Sequence, residues 1–66
     1  DFVVSILKDV FNKNINEATT IMLEIHNNGR GICGIYTYDI AQTKANIAIQ
    51  KSRQAGFPLR IIVEEE

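Results

Sequence analysis

His26 is the only histidine in the sequence, and its imidazole could bind a ligand by donating or accepting a hydrogen bond. It follows Met22 by four residues, so both side chains share one face of any helix that contains them. One interpretation places His26 at a helix C-terminus, where an N–H group meets free carbonyls. The other places it at the rim of an apolar pocket that includes Met22 and Ile25. The spacing alone leaves both interpretations open.

Cys33 and the glycines around it are the other candidates for chemistry. A nucleophilic thiol needs a base and an activating environment, and the flanking Ile32 and Gly34 supply neither. The glycine-rich stretch 30–34 matches neither pattern of phosphate-binding loop. The sequence also lacks a recognisable metal-ligand cluster or catalytic triad. We therefore predict a structural thiol, no cofactor, no metal site and a protein that is not an enzyme.

Length, charge and hydropathy exclude several classes of protein. With 66 residues, one cysteine and one histidine, the chain forms one domain without an internal disulfide or structural zinc. Its 7 basic and 8 acidic residues form no basic stripe, so we expect no nucleic-acid partner. No apolar run approaches the roughly 20 residues of a membrane span, so we expect no membrane partner. A lone cysteine fits a reducing compartment, and we expect a cytoplasmic protein.

Two segments in the first half of the chain have helical patterns. Apolar residues recur every three or four positions over 2–11. Asn14 followed by Glu17 has the spacing of a capping box, which predicts the start of a second helix. Gly29 can adopt the left-handed conformation that ends it. The first half is therefore predicted to contain two consecutive helices.

A third helical pattern occupies the middle of the second half. Thr37 is the predicted N-cap, Asp39 lies in the first turn where negative charge is favoured, and Gly56 ends the helix. One face carries only small side chains, which suits close packing against a sheet. That face consists of Ala41, Ala45, Ala48 and Ser52.

Two further segments, 30–37 and 59–64, alternate in polarity with period two and are predicted strands. The resulting order is ααβαβ, an α+β fold. Strands joined by a helical crossover run parallel, and a two-stranded parallel sheet is rarely found alone. We therefore expect a third strand before Asp1, absent from this chain, so that 1–66 is a single domain truncated at its N-terminus.

The sequence also resembles a known family, the ClpS adaptors. The likeness covers residues 1–66 without a gap and is most specific around Cys33 and at Thr43 and Lys44. The resemblance implies a two-layer ClpS-like βααβαβ fold, which would supply the expected third strand. The matching positions are 17–19, 22–23, 26, 29–37, 40–41, 43–44, 58–60 and 64–66.

The resemblance further implies the function of a protease adaptor. Such an adaptor binds N-degrons, which are substrate proteins that begin with Phe, Tyr, Trp or Leu, and delivers them to the ClpA-ClpP ATP-dependent protease. Its partners are therefore N-terminal peptides and a ClpA-type AAA+ unfoldase. The resemblance assigns contact with the substrate's α-amine to His26 and docking of the unfoldase to Asp39 and Lys44. It assigns the side-chain pocket to Val3, Met22, Ile25 and Leu59.

Two other functions remain open alternatives. A stalk-like structural or recruiting domain would dock a partner through the third helix and need no N-degron pocket. A small Cys-His hydrolase would use Cys33 and His26. Substitution of His26 separates the stalk-like domain from the other two, because only the stalk-like domain should tolerate it.

Overall fold

Apolar residues at helical spacing form the first helix, α1 (Phe2–Asp9). The computed structural model describes residues 2–57 and 59–64. Leu7 is the most deeply buried residue of α1, with 1% of its surface exposed, and Val10 and Phe11 continue the buried face past the helix end. Asn12 then takes a left-handed backbone conformation with φ 55°, which few residues other than Gly and Asn adopt readily. The predicted first helix is confirmed, and its end is set by Asn12.

The second helix, α2 (Ile15–Asn28), begins with the predicted capping box. The Asn14 side-chain oxygen accepts a hydrogen bond from the Glu17 amide at 2.8 Å, and the Glu17 carboxylate accepts one from the Asn14 amide at 3.2 Å. Gly29 ends the helix in the left-handed region with φ 81°, and its amide donates to the Ile25 carbonyl at 2.9 Å. Both predicted ends of α2 are therefore confirmed, and each satisfies backbone groups that a helix end leaves unpaired.

α1 and α2 pack against each other. Ala18, one turn into α2, is completely buried, and on α1 the buried residues are Ile6 and Leu7. A methyl side chain at Ala18 lets a neighbouring apolar surface approach α2 closely. The first half of the chain is thus a helical hairpin with its own apolar core.

The third helix, α3 (Tyr38–Ala55), buries three of the four small side chains of the predicted face and leaves the fourth, Ala41, half-buried. Ala45, Ala48 and Ser52 are buried, and the Ser52 hydroxyl donates to the Ile49 carbonyl at 2.8 Å. At the C-terminus the Gly56 and Phe57 amides donate back to the carbonyls of residues 53 and 52, which is a Schellman motif. Thr37 occupies the N-cap position, but its side chain makes no capping hydrogen bond, so that part of the prediction is wrong.

The predicted α+β fold is wrong, because every regular element among residues 2–57 and 59–64 is a helix. Neither 30–37 nor 59–64 forms a strand. Alternation states which side chains would share a face, but a strand also needs a neighbour that completes its hydrogen-bond ladder. Ile32 and Ile35 are 70% and 69% exposed, so the alternation does not separate a buried face from a wet one. Without these two strands, neither the predicted ααβαβ order nor the expectation of a third strand before Asp1 in a βααβαβ fold is supported.

The chain divides into two compact units, the first ending at Gly34 and the second beginning at Ile35. The first contains α1 and α2, and the second contains α3. Within the described ranges, no helix is long and apolar enough to cross a membrane.

Asn14→Ala should lower the free energy of unfolding by about 1 kcal/mol, because the Glu17 amide loses its acceptor. Equilibrium urea denaturation followed by circular dichroism measures the change. Asn16→Ala is the matched control, since it keeps the Asn16 carbonyl that accepts from the Thr20 hydroxyl and gains helix propensity. Equal losses in both variants would contradict the capping role of Asn14.

Candidate functional site

The last two turns of α2 bring together three of the predicted site residues. Met22 and Ile25 are half-buried, and His26 is exposed in the last turn of the helix. With about 100° per residue, Met22 and Ile25 lie on either side of the buried Ala18 around the helix axis. His26 lies farther around the helix, beyond Met22. The arrangement places a hydrogen-bonding imidazole beside two partly covered apolar side chains.

The segment that follows α2 folds back onto the helix beside these residues. A Cβ atom built on Gly31 would lie 3.0 Å from the Ile25 Cγ1 atom, 3.2 Å from the Ile21 carbonyl oxygen and 3.3 Å from the Ile21 Cγ2 atom. Only a residue without a side chain allows the backbone this close to the helix. The main chain at Gly31 therefore covers one side of Ile25 and helps to hold the Ile25 side chain in place.

The remaining predicted pocket residues lie on other segments. Val3 is half-buried on α1, the helix that packs against α2. Leu59 is half-buried in the second unit, outside the helices. The grouping of Val3 and Leu59 with Met22, Ile25 and His26 in one pocket stays a prediction.

Cys33 has the environment of an inert thiol. Burial raises the pKa of the Cys33 thiol, and the Lys13 ammonium offsets only part of that shift. A raised pKa leaves less thiolate at neutral pH, and the thiolate is the reactive form. This agrees with the predicted structural role. In the part of the chain that the structure describes, no cluster of three His, Cys, Asp or Glu side chains could hold a metal ion.

A second candidate surface lies on the outward side of α3. An open, shallow depression there is lined by Asp39, Ile40, Thr43, Lys44 and Ile47. At about 100° per residue, Asp39 and Lys44 stand at opposite edges, about 140° apart, with the two isoleucines between them. Ile40 and Ile47 are 49% and 41% exposed. The surface thus has an apolar centre between an acidic edge and a basic edge.

Sequence reasoning missed the contact between Lys44 and Tyr36. The Lys44 Nζ atom lies over the Tyr36 ring, 5.1 Å from its centroid, which is cation–π geometry. Tyr36 precedes the N-cap residue Thr37, and Lys44 lies two turns into α3. An aromatic residue directly before an N-cap often packs back onto the helix it introduces, and that signal could have drawn attention to Tyr36.

Comparison with known proteins identifies one family. Residues 1–62 match the family model described as ATP-dependent Clp protease adaptor protein ClpS. A relative from Wolinella succinogenes is 55% identical over 65 residues, which are 98% of this chain and 64% of that protein. Relatives from Helicobacter hepaticus and Campylobacter jejuni are 58% and 52% identical, with 98% and 100% of this chain and 66% and 69% of theirs covered. All three are named ATP-dependent Clp protease adapter protein ClpS. The chain thus spans about two thirds of the length of these relatives.

Gly31→Ala should destabilise the protein by about 1–3 kcal/mol, because its methyl group would press on Ile25 and on the main chain of α2. The gain of about 0.4–1 kcal/mol from a stiffer unfolded chain is smaller. Urea denaturation measures the net effect. Ile25→Ala removes one of the clashing atoms, so Gly31→Ala should cost less in that background. The same cost in both backgrounds would show that Gly31 does not pack against Ile25.

Proposed function

Because the chain belongs to the ClpS family of Clp protease adaptors, we propose that it binds N-degron substrates and delivers them to the ClpA-ClpP protease. The observation that carries the proposal is the exposed His26 beside the half-buried Met22 and Ile25 at the end of α2. This pairing of one polar group with partly covered apolar side chains suits a ligand that has an apolar side chain next to a polar end.

The N-terminal residue of a protein has these two properties. Its side chain, when it is Phe, Tyr, Trp or Leu, gains free energy by leaving water, and we propose that Val3, Met22, Ile25 and Leu59 receive it. Met22 has a flexible and polarisable side chain that can adapt to each of these shapes. The α-ammonium group must keep hydrogen-bond acceptors when it leaves water, and a ring nitrogen of neutral His26 is one such acceptor. The proposed selectivity therefore needs both the apolar side chain and the free amine.

An adaptor also needs a surface for the protease, and we propose that the depression on α3 is that surface. Its acidic edge at Asp39 and its basic edge at Lys44 can each pair with an opposite charge on the unfoldase. The exposed Ile40 and Ile47 between them can be covered by apolar side chains of the partner. The two proposed sites lie on different helices.

Other properties complete the proposal. The prediction that the chain is not an enzyme is confirmed by its family, which is one of adaptors. We propose one adaptor domain over residues 1–66, working in the cytoplasm, where the lone Cys33 fits a reducing environment. Peptide N-termini and the ClpA-type unfoldase are its proposed partners, and nucleic acids and membranes are not.

A recruiting domain that docks a partner through α3 without binding N-degrons is the second candidate. The observation that favours it is the charged and apolar depression on α3, which needs no contribution from α2. His26 separates the two candidates, because only N-degron binding uses it.

The protein should bind a fluorescent peptide with a free N-terminal Phe and lose that binding when the amine is acetylated. His26→Ala should weaken binding by about 10- to 100-fold, the usual range for losing a hydrogen bond to a charged group. Fluorescence anisotropy measures both effects. Asn27→Ala, at the exposed neighbouring position, is the matched control and should bind as the wild type does.

Two outcomes would argue against N-degron binding. Equal affinity for the acetylated peptide would show that the ammonium group is not recognised. Equal effects of His26→Ala and Asn27→Ala on affinity would show that the imidazole of His26 makes no specific contact with the peptide. Failure of the wild type to bind either peptide, together with binding to the unfoldase, would favour the recruiting domain.

A further inference from the structure

Asn28 and Gly29 form the only Asn-Gly pair in the sequence, and they lie at the end of α2. Asn28 is the last residue of the helix, and both residues are exposed. In such a pair the main-chain nitrogen of the glycine can attack the side-chain amide carbon of the asparagine. Glycine favours the attack, because it has no side chain to hinder ring closure. The end of α2 therefore contains the groups for a self-modification reaction.

The reaction exchanges an amide for a carboxylate, and it needs only water. The Gly29 main-chain nitrogen loses its proton and bonds to the Asn28 Cγ atom, while the bond between Cγ and Nδ2 breaks and ammonia leaves. Water then opens the cyclic succinimide. Attack of water at Cγ gives aspartate, and attack at the main-chain carbonyl of residue 28 gives isoaspartate. Each conversion thus consumes water and releases ammonia, and this chemistry is one reason why asparagine is thermolabile.

The folded end of α2 opposes the reaction. The Gly29 amide donates a hydrogen bond to the Ile25 carbonyl at 2.9 Å, so its proton is engaged. Asn28 belongs to the helix, and the ring cannot close until its ψ angle leaves the helical range. A Cβ atom built on Gly29 would have no atom within 4 Å, so this side of the turn is open to water. Helix ends open at little cost in free energy, and each opening of this end removes the protection.

We propose that Asn28 is a self-modification site, at which opening of the hydrogen bond from Gly29 to Ile25 limits the rate of conversion. Isoaspartate adds a methylene group to the main chain before Gly29. Both products also place a carboxylate at the helix C-terminus, where the helix dipole disfavours negative charge. Conversion therefore loosens the last turn of α2, which contains His26. The proposal concerns the protein alone and does not depend on N-degron binding.

The first experiment follows conversion at neutral pH by mass spectrometry of proteolytic fragments, with a fragmentation method that distinguishes isoaspartate from aspartate. A peptide with the sequence of residues 24–32 is the unfolded reference. Position 28 should convert about 2- to 10-fold more slowly in the protein than in the peptide, the factor expected from one backbone hydrogen bond. Asn27 is the matched internal control, since it is also exposed but is followed by a residue with a side chain, and it should keep its amide.

Two outcomes of this experiment would overturn the proposal. Conversion as fast in the protein as in the peptide would show that the helix end gives no protection. Conversion of Asn27 as fast as that of Asn28 would show that the Asn-Gly pair is not a distinct site.

The second experiment examines the hydrogen bond that limits the rate. Hydrogen exchange of the Gly29 amide, followed by nuclear magnetic resonance, measures how often this bond opens. The ratio of the conversion rates in peptide and protein should equal the protection factor of the Gly29 amide. A much larger ratio would show that another interaction limits the rate, and a much smaller one would show that the closed helix end reacts. Either result would overturn the proposed control by this hydrogen bond.

The third experiment measures the effect of conversion on the helix end. The isoaspartate form, separated by ion exchange, should lose the protection of the Gly29 amide and shift the amide resonance of His26. Asn28→Asp adds the charge but keeps a normal main chain, so it should retain more of the protection. Circular dichroism verifies that the rest of the helical structure remains. Unchanged protection of Gly29 in the isoaspartate form would overturn the proposed loosening of the last turn.

Discussion

The position of both ends of α2 is the constraint on which the proposed substrate site depends. The reciprocal hydrogen bonds between Asn14 and Glu17 set the first residue of the helix, and the left-handed Gly29 sets the last. Between these points the helical repeat places Met22 next to the buried Ala18 and places His26 farther from it around the helix axis. Because each residue of a helix turns the chain by about 100°, these angular positions hold only while residues 18–26 stay within the helix that the two caps bound. The capping residues therefore position a site that they do not contact.

The two proposed surfaces use helices in different ways. On α2 the candidate residues adjoin the buried face, so the same packing that stabilises the hairpin also shapes the apolar part of the site. On α3 the buried face consists of small residues such as Ala48. Asp39 lies on the opposite side of the helix, whereas the half-buried Lys44, one turn before Ala48, borders the buried face. Substitution of Asp39 should therefore change docking with little effect on stability, whereas substitutions at Met22 or Ile25 should change both stability and binding.

Local signals predicted the helices well and the strands badly. The capping box at Asn14 and the left-handed Gly29 are short-range devices, so neighbouring residues suffice to identify them. A strand depends on a partner elsewhere in the chain, and the alternation in 30–37 carries no information about one. In the structure the backbone at Gly31 packs against α2 and does not pair with another strand.

The residues of the candidate sites show the same difference: spacing along one helix predicted some of them, and contacts between distant positions were not predictable from spacing. The spacing of Met22 and His26 predicted that they share a face of one helix, and the structure confirms it. The resemblance to ClpS adaptors, and not the spacing, named Leu59 as a member of the pocket. The contact between Tyr36 and Lys44 was missed because spacing within α3 relates only residues of that helix, and Tyr36 lies before it.

An adaptor must hold its substrate and its protease at the same time, and this is the central claim of the account. The most direct measurement is the anisotropy of a labelled N-terminal Phe peptide bound to the protein while ClpA is added under conditions that prevent ATP hydrolysis. The account predicts that the peptide stays bound and that its anisotropy rises further as the larger ternary complex forms. A fall in anisotropy toward the value of the free peptide would show that ClpA displaces the substrate, which would contradict two separate sites.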